Sequence, residues 1–227
     1  MAMGIQRLKN GLLSLFLKSN CPLCDRPTET EVCEYCYRQL QRCQLKNPSQ
    51  FWEGELPILV WGNYGGTLKR AIAALKYDNH PQLARPLGFW LGEAWLNSAV
   101  AKTVKKLTVV PIPLHPSKQQ KRGFNQAELI AQTFSQFTGY KHQPYGLERV
   151  IETEAQFNLS VQERSKNLAD AFALGKPFRR HPPTSPVLIL DDIYTTGATV
   201  KSATKILQQQ GIEVYGVVAI ARPLGRV

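Results

Sequence analysis

The sequence predicts an α/β protein with a small cysteine-rich module in front of its main body. From residue 56 onward, apolar runs of strand length alternate with amphipathic segments of helix length. This alternation predicts a mostly parallel sheet flanked by helices on both faces. Two closely spaced cysteine pairs precede this region and predict a separate small unit. The composition, with 20% charged and 43% hydrophobic residues among 227, is that of an ordinary globular protein.

Residues 1–18 are expected to form an amphipathic N-terminal helix that packs on the body. Their apolar run, Leu12 to Leu17, is too short to span a bilayer. Lys18, Ser19 and Asn20 follow it where an export signal would carry small residues. We therefore expect no membrane insertion and a cytoplasmic location.

Residues 19–45 are expected to form a four-cysteine zinc module. The pattern C-x2-C-x8-C-x2-C places two knuckles at a spacing that can close a tetrahedral thiolate site around Zn²⁺. Disulfides are the alternative, but a reducing compartment favours the metal, and four thiolates favour zinc over iron. All four ligands would come from the protein, so the metal would be structural. The ligands are Cys21, Cys24, Cys33 and Cys36.

Residues 55–225 are expected to form the main domain. The apolar patterns predict strands over 56–64, 107–114, 146–151, 171–174, 187–190 and 213–221, and helices over 67–76, 83–96, 126–137 and 198–210, with a helical turn over 162–167. Thr67 is the expected N-cap of the first helix, while Gly139 and Gly211 are expected to end the helices before them. Trp90 and Trp95 are expected in the core.

The last buried strand, 187–190, is followed by two carboxylates and a turn rich in hydroxyl groups. Asp191 and Asp192 could accept hydrogen bonds from vicinal hydroxyls or face a metal ion carried by a ligand. Gly197 permits a left-handed backbone, and successive amides at a helix N-terminus make a nest for phosphate. These parts fit a ribose 5-phosphate. The turn comprises Tyr194, Thr195, Thr196, Gly197, Ala198 and Thr199.

This stretch resembles the phosphoribosyl-diphosphate (PRPP) motif of the type I phosphoribosyltransferases. The resemblance implies that Asp191 and Asp192 meet the ribose 2- and 3-hydroxyls, while residues 195–199 cradle the 5-phosphate. It also implies a Mg²⁺ ion bound with PRPP, displacement of pyrophosphate from the anomeric carbon, and a type I phosphoribosyltransferase-like fold. A helix cap after a buried strand would explain one threonine and Gly197 but leaves both carboxylates unexplained.

Across nearly its whole length the chain resembles the ComF family. The similarity lies in the order of the cysteine knuckle, L-K-Y at 75–77, V-P-I-P-L-H-P at 110–116, K-R-G-F-N-Q-A-E-L at 121–129, and the PRPP motif. A further pattern comprises Arg149, Thr153, Gln156, Leu159, Arg164 and Asn167. Family membership implies a context of natural competence and DNA uptake, or of gluconate utilisation as in one relative.

A basic loop is expected at 115–122, where this superfamily contacts pyrophosphate. Arg122 is the expected charge clamp and joins the two aspartates as a candidate catalytic residue, with Gly123 giving mobility. Lys121, His115 and Lys76 are further candidates for binding PRPP. The alternatives are a solvated basic loop, a structural histidine, and a lysine that complements a helix dipole.

Three functions remain open at this level. The net charge of +11 favours anionic partners, either phosphorylated small molecules or nucleic acid. A magnesium-dependent phosphoribosyltransferase is the leading hypothesis. The others are a non-catalytic competence factor that binds single-stranded DNA or a competence helicase, and a PRPP-sensing regulator without turnover. The acceptor and the oligomeric state are not readable from the sequence.

Overall fold

The computed structural model describes residues 19–151 and 171–224. The expected N-terminal helix, the helical turn at 162–167, and the pattern residues Thr153, Gln156, Leu159, Arg164 and Asn167 lie outside these ranges. Within them, none of the helices has the length and apolar character that crossing a bilayer requires.

Nine strands and seven α-helices are found in the described ranges. The strands are β1 (Ser19–Asn20), β2 (Pro27–Thr28), β3 (Ile58–Asn63), β4 (Thr108–Pro111), β5 (Lys141–His142), β6 (Leu147–Arg149), β7 (Phe172–Leu174), β8 (Val187–Ile193) and β9 (Val214–Arg222). The helices are α1 (Glu34–Gln41), α2 (Gly66–Tyr77), α3 (Ala84–Leu96), α4 (Pro116–Arg122), α5 (Gln126–Thr138), α6 (Lys176–Arg180) and α7 (Ala198–Gln209). Short 3-10 turns cover Pro81–Leu83 and Val100–Thr103.

A five-stranded sheet in the order β3-β9-β8-β4-β5 forms the centre of the protein, and every pairing in it is parallel. Strand β8 lies in the middle, between β9 and β4. Two-stranded antiparallel pairs, β1 with β2 and β6 with β7, lie outside this sheet. The predicted α/β class with a parallel sheet flanked by helices is confirmed, and it fits the type I phosphoribosyltransferase-like architecture.

The two faces of the sheet belong to two different hydrophobic clusters. In β8, Leu188 and Leu190 pack in the cluster that includes side chains of α2, α3 and α5. Val187 and Ile189 pack in the other cluster, with side chains of α7. Side chains alternate between faces along a strand, so helices cover the sheet on both sides. This double burial explains why the strand reads as a continuous aliphatic run.

The cysteine module is joined to the main body through side-chain packing. Cys36 and Leu40 belong to the same buried cluster as the sheet face covered by α2 and α3. Tyr37 meets Trp90 edge to face with 5.5 Å between ring centroids. As predicted, Trp90 and Trp95 are buried. The core therefore runs from the module into the sheet.

Three local predictions were wrong. Helix α2 starts at Gly66, with Gly65 at the cap position, so Thr67 lies inside the helix. Strand β8 continues to Ile193 because its pairing with β9 extends to Ile193 and Ala221. Both aspartates are consequently strand residues and do not follow the strand.

The third error concerns the expected basic loop, which folds as helix α4. Pro116 stands at the start of this helix, and Gly123 ends it in the left-handed region at φ 86°. Asn125 then caps α5 by accepting a hydrogen bond from the Ala127 N–H at 3.0 Å. The G-F-N part of the motif is thus a junction between two helices, in which Gly123 has a capping role.

Candidate functional site

The acidic doublet lies at the carboxyl end of the central strand β8 and is buried, with 9% of Asp191 and 3% of Asp192 exposed. In open α/β sheets this end of the strands is where ligands bind. Burial of two adjacent carboxylates without partners would be costly. The structure satisfies each of them in a different way.

Asp192 is neutralised by a lysine from helix α2. Lys76, in the last turn of that helix, forms an ion pair with Asp192 in which both side chains are largely buried. Gln126 Nε2 also donates to Asp192 Oδ1 at 3.4 Å. Burial alone would raise the pKa of Asp192, but the charge of Lys76 outweighs it and the pKa is lowered. Asp192 is therefore held as a carboxylate inside the protein.

The same ion pair keeps Lys76 charged. Burial works against the charge of the ammonium group, but the charge of Asp192 and the hydrogen bond to it raise the pKa of Lys76. The residue lies near a helix C-terminus, where a cation is favourable, yet its specific partner is Asp192. The sequence raised Lys76 as a site candidate, and the structure brings it to the doublet.

Asp191 behaves differently from its neighbour. Burial, followed by the charge of Asp192, raises the pKa of Asp191 well above its ordinary value. One of its oxygens accepts a hydrogen bond from the Asp192 N–H at 2.8 Å. Burial lowers the pKa of the Arg149 guanidinium on β6. The negative charge of Asp191 acts in the opposite direction but has the smaller effect. The doublet thus combines one carboxylate paired with Lys76 and one carboxyl whose pKa is raised.

A closed network of contacts joins the doublet to the basic helix α4. Arg122 donates to Gln126 Oε1, and its guanidinium carbon lies 5.6 Å from the ring centroid of Tyr77. Tyr77 adjoins Lys76, which pairs with Asp192, and Gln126 bonds to both Arg122 and Asp192. Arg122 therefore lies two contacts away from the doublet. Gln126 received no role from the sequence, although its place directly after the R-G-F-N motif was the available signal.

The hydroxyl-rich turn between β8 and α7 has the predicted left-handed glycine. Gly197 has φ 77° at the start of the 12-residue helix α7. A Cβ atom on this glycine would clash with the Tyr194 hydroxyl oxygen, because the phenol closes over the glycine. Thr195 and Thr196 are exposed, and the Ala198 N–H has a weak bond to Thr196 Oγ1 at 3.4 Å. Ala198 and Thr199 form the first turn of α7.

His115 and Lys121 both belong to the short basic helix. The His115 side chain caps α4, with its Nδ1 accepting from the Ser117 N–H at 3.4 Å and lying 2.9 Å from the Ser117 hydroxyl. This capping gives His115 a structural role beside the predicted ligand contact. Lys121 is exposed in the last turn of α4.

The four cysteines of the module converge as the spacing predicted. Their Sγ atoms all lie within 4.8 Å of one another, and Cys24 Sγ lies 3.5 Å from Cys33 Sγ. That separation is far beyond the ~2 Å of a disulfide bond. A cluster of four thiols with these distances fits a tetrahedral metal site of the Zn²⁺ type. Cys43 stands outside it, with its thiol directed at the Gln39 carbonyl at 3.6 Å.

No protein-family model matches the chain, but several curated proteins are similar over most of their length. Competence protein F of Haemophilus influenzae is 29% identical over a 231-residue alignment that covers 94% of this chain and 91% of that protein. The DNA utilization protein YhgH of Escherichia coli K12 is 27% identical, with 90% of both chains covered. Competence protein ComFC of Streptococcus pneumoniae is 27% identical, with 90% of this chain and 81% of that protein covered.

Among solved structures, TT1426 from Thermus thermophilus matches 63% of this chain and 85% of its own, at 14% identity and a TM-score of 0.34. A match at that score does not establish a shared fold. The sequence relatives, in contrast, extend over the cysteine module and the main body together. Similarity to these proteins along about nine tenths of the chain supports the predicted resemblance to the ComF family.

Proposed function

We propose that this protein binds PRPP or a related ribose phosphate with Mg²⁺, and transfers the phosphoribosyl group to an acceptor with release of pyrophosphate. The observation that carries the proposal is the geometry at the end of β8. Two acidic residues at the carboxyl end of the central strand are followed within five residues by a left-handed glycine and the start of a 12-residue helix. A sugar bearing hydroxyls and a phosphate matches this order of groups.

In this proposal each part of the site has its own role. The exposed amides and hydroxyls of Thr195 and Thr196 receive the 5-phosphate, where the dipole of α7 favours negative charge. Asp191 and Asp192 accept hydrogen bonds from the ribose hydroxyls. Arg122 supplies positive charge to the leaving pyrophosphate, because a guanidinium binds phosphate oxygens in a bidentate way.

Magnesium fits the site only as a companion of the ligand. The carboxylate oxygens of the doublet are the hard ligands that Mg²⁺ prefers, but Lys76 already pairs with Asp192. The described residues therefore provide no complete cage for the ion. When bound together with the ligand's pyrophosphate, Mg²⁺ would neutralise the negative charge that the ligand brings to the acidic doublet.

Binding in this proposal requires two rearrangements of the chain. Arg122 must release Gln126 to reach a pyrophosphate oxygen, and the Tyr194 phenol must move away from Gly197 if phosphate is to approach the backbone there. Both contacts are made by half-buried side chains and are formed in the described structure.

The biological context proposed is natural competence and DNA uptake in the cytoplasm. Its basis is the names of the relatives, which refer to competence and to DNA utilization. A phosphoribosyl ligand and a DNA-related role are compatible, because both involve a sugar phosphate.

Calorimetry with PRPP tests the proposal. Wild-type protein titrated with PRPP should release or absorb heat in the presence of Mg²⁺ and give none after Mg²⁺ is chelated. The Asp191→Asn variant should lose this heat. Glu213→Gln, an exposed change before β9 at the opposite end of the sheet, should keep it. Equal heats from wild type and Asp191→Asn would refute the site, as would the absence of any heat from the wild type.

A second candidate function is direct contact with single-stranded DNA or a competence helicase without transfer chemistry. The net charge of +11 supports it, as does an exposed arginine over an exposed tyrosine, with Arg26 4.5 Å from the Tyr35 ring centroid. Such pairs offer stacking surfaces for bases beside a phosphate contact. Retardation of a labelled oligonucleotide that falls with added salt would support it.

Transfer and sensing are separated by product analysis. A phosphoribosyltransferase releases pyrophosphate continuously when given its acceptor, whereas a PRPP-sensing regulator binds the ligand without turnover. A panel of bases and amines assayed for pyrophosphate release therefore decides between them. Sustained release with any acceptor, lost in Asp191→Asn, eliminates the sensor.

A further inference from the structure

A cavity of about 400 Å³ opens beside the acidic doublet. Its wall is formed by the segment after β4, helix α4, the start of α5, and the segment from 144 to 150 that contains β6; neither aspartate is among the lining residues. The volume lies in the range of small-molecule pockets, about 300–1,000 Å³. It can hold a ring compound larger than a single amino-acid side chain.

Two residues of the cavity wall connect it with the acidic doublet. Asn125, in the wall, is followed directly by Gln126, which donates to Asp192. Arg149, also in the wall, is the guanidinium that interacts with the charge of Asp191. A compound in the cavity would therefore be a neighbour of whatever the doublet binds.

Most of the lining is apolar and rigid. Pro113, Leu114, Pro144, Tyr145 and Leu147 contribute to it. Proline and aromatic side chains change shape little, so they favour a flat, ring-shaped occupant. Ligand pockets commonly combine such a lining with a few polar groups that fix orientation.

Glu128, on the first turn of α5, is an acidic group of the lining that is available to an occupant. In the described ranges no hydrogen bond or ion pair engages its carboxylate, and burial raises its pKa. The other acidic side chain of the lining, Glu148, is already used. It accepts from the Lys176 N–H at 3.1 Å and pairs with Arg179.

We propose that this cavity is a second ligand site, which takes a small, flat compound bearing a positively charged nitrogen or an N–H group, with Glu128 as its partner. A half-buried carboxylate that faces an apolar cavity, and that has no partner among the described residues, is best satisfied by a donor from the ligand. An anionic group is disfavoured beside Glu128 because like charges repel, and the guanidinium of Arg149 in the same wall already has the charge of Asp191 as a neighbour.

The role of this site as the acceptor subsite rests on the proposed function. In that role the acceptor nitrogen forms a bond to the anomeric carbon of PRPP, and the bond from that carbon to the pyrophosphate oxygen breaks. Pyrophosphate leaves with the bonding electron pair, and the proton of the nitrogen passes to the Glu128 carboxylate. The acceptor class is then an aromatic amine or a nitrogen heterocycle with an N–H group.

The test uses three flat probes of similar size, namely benzamidine as a cation, adenine as a neutral N–H heterocycle, and benzoate as an anion. Ligand-observed NMR titrations are run on the full-length wild type, on Glu128→Gln, and on Glu213→Gln as a matched control at the opposite end of the sheet. We expect benzamidine and adenine, but not benzoate, to bind the wild type. Benzamidine should bind Glu128→Gln at least about tenfold more weakly, the size of one lost charge contact, and should bind Glu213→Gln as it binds the wild type.

Several results overturn the inference. These are failure of both nitrogen probes to bind the wild type, equal benzamidine affinity in Glu128→Gln, and benzoate binding as tight as benzamidine binding. Thermal melting checks that Glu128→Gln is folded. If Glu128→Gln does not fold, Glu128→Asp is tested in its place. Because it keeps the charge, it should retain most of the benzamidine affinity, and a loss of that affinity in Glu128→Asp counts against the inference.

Calorimetry with PRPP and Mg²⁺ on the same proteins separates this inference from the proposed function. If Glu128→Gln changes neither PRPP binding nor benzamidine affinity, the second site is rejected and the proposed function is not affected. Nitrogen probes that bind while PRPP does not bind the wild type support the second site and reject its role as an acceptor subsite.

Discussion

Replacement of Lys76 by methionine is the sharpest test of the buried ion pair. The change keeps the length and the apolar stem of the side chain and removes its charge. Asp192, with only 5% of its side chain exposed, then remains in the interior as a carboxylate without its cation. The hydrogen bond from Gln126, at 3.4 Å, is too long to replace the lost charge.

The expected loss follows from the burial of the two partners. Breaking a fully buried pair by removing one member costs about 3–5 kcal/mol. Lys76 retains 16% exposure of its side chain, so water can partly solvate the Asp192 carboxylate left behind. We therefore expect the lower end, about 3 kcal/mol in the free energy of unfolding, or a melting temperature about 6–12 °C lower for a chain of this size.

The assay is urea unfolding of the wild type, Lys76→Met, Asp192→Asn and the double variant. Removing both charges leaves no unpaired carboxylate, so the double variant should lose only about 1 kcal/mol. The loss in Lys76→Met should also depend on pH. The pKa of Asp192 is lowered in the wild type, so its contribution to stability is present above its unfolded pKa of about 3.8 and lost as the pH falls through the lowered folded pKa. In Lys76→Met the charge that lowers the pKa of Asp192 is gone and burial raises that pKa, so the loss of stability in this variant should shrink as the pH is lowered.

An additive double variant would refute this reasoning, as would a Lys76→Met loss below about 1 kcal/mol at about pH 7, which is the range of an exposed ion pair. Either result would mean that the pair does not form in the interior.

Three further predictions concern the other parts of the molecule. Because the four Sγ atoms lie within 4.8 Å of one another, Cys36→Ser should reduce bound zinc, measured by atomic absorption, and lower the melting temperature; unchanged zinc content would contradict the metal site. In denaturant unfolding, Gly197→Ala should lose more stability than Gly123→Ala. Both changes add left-handed strain of about 1–2 kcal/mol, but only at Gly197 does the new Cβ also clash with Tyr194, whereas the Cβ at Gly123 meets open space; equal losses would contradict this. PRPP affinity should rise with pH, because the pKa of Asp191 is raised by burial and its proton must leave before the carboxylate can accept both hydroxyl bonds or meet a cation; calorimetry that shows affinity falling as pH rises would contradict this.

Most of the sheet could be predicted from local patterns, because its central strands are buried on both faces and therefore read as aliphatic runs. The end of β8 could not be predicted in this way, since two adjacent aspartates are typical of a residue pair that follows a strand. Their inclusion depends on pairing with β9 as far as Ala221, which is a long-range contact. Helix α4 was also missed. Its basic and polar residues suggested a loop, but His115 caps the segment at its start and Gly123 ends it, so that it forms a helix.

The candidate site was predictable as a set of residue types but not as a set of partners. The motif indicated Asp191 and Asp192, yet nothing local to it shows that Asp192 would pair with a lysine and that the pKa of Asp191 would be raised. That difference arises from Lys76, which is 116 positions away from Asp192 along the chain. Gln126 and Glu128 lie inside the K-R-G-F-N-Q-A-E-L motif, but their roles depend on the partners that the fold brings near or leaves out.

The shared core of the cysteine module and the sheet has a consequence for the living cell. Because Cys36 and Leu40 belong to the same buried cluster as Leu188 and Leu190 of β8, ordering of the module by its metal is energetically linked to the strand that carries the doublet. If the module binds zinc, a cell starved of zinc would then lose the proposed ribose-phosphate site along with the module, and the supply of this metal would limit the amount of folded protein.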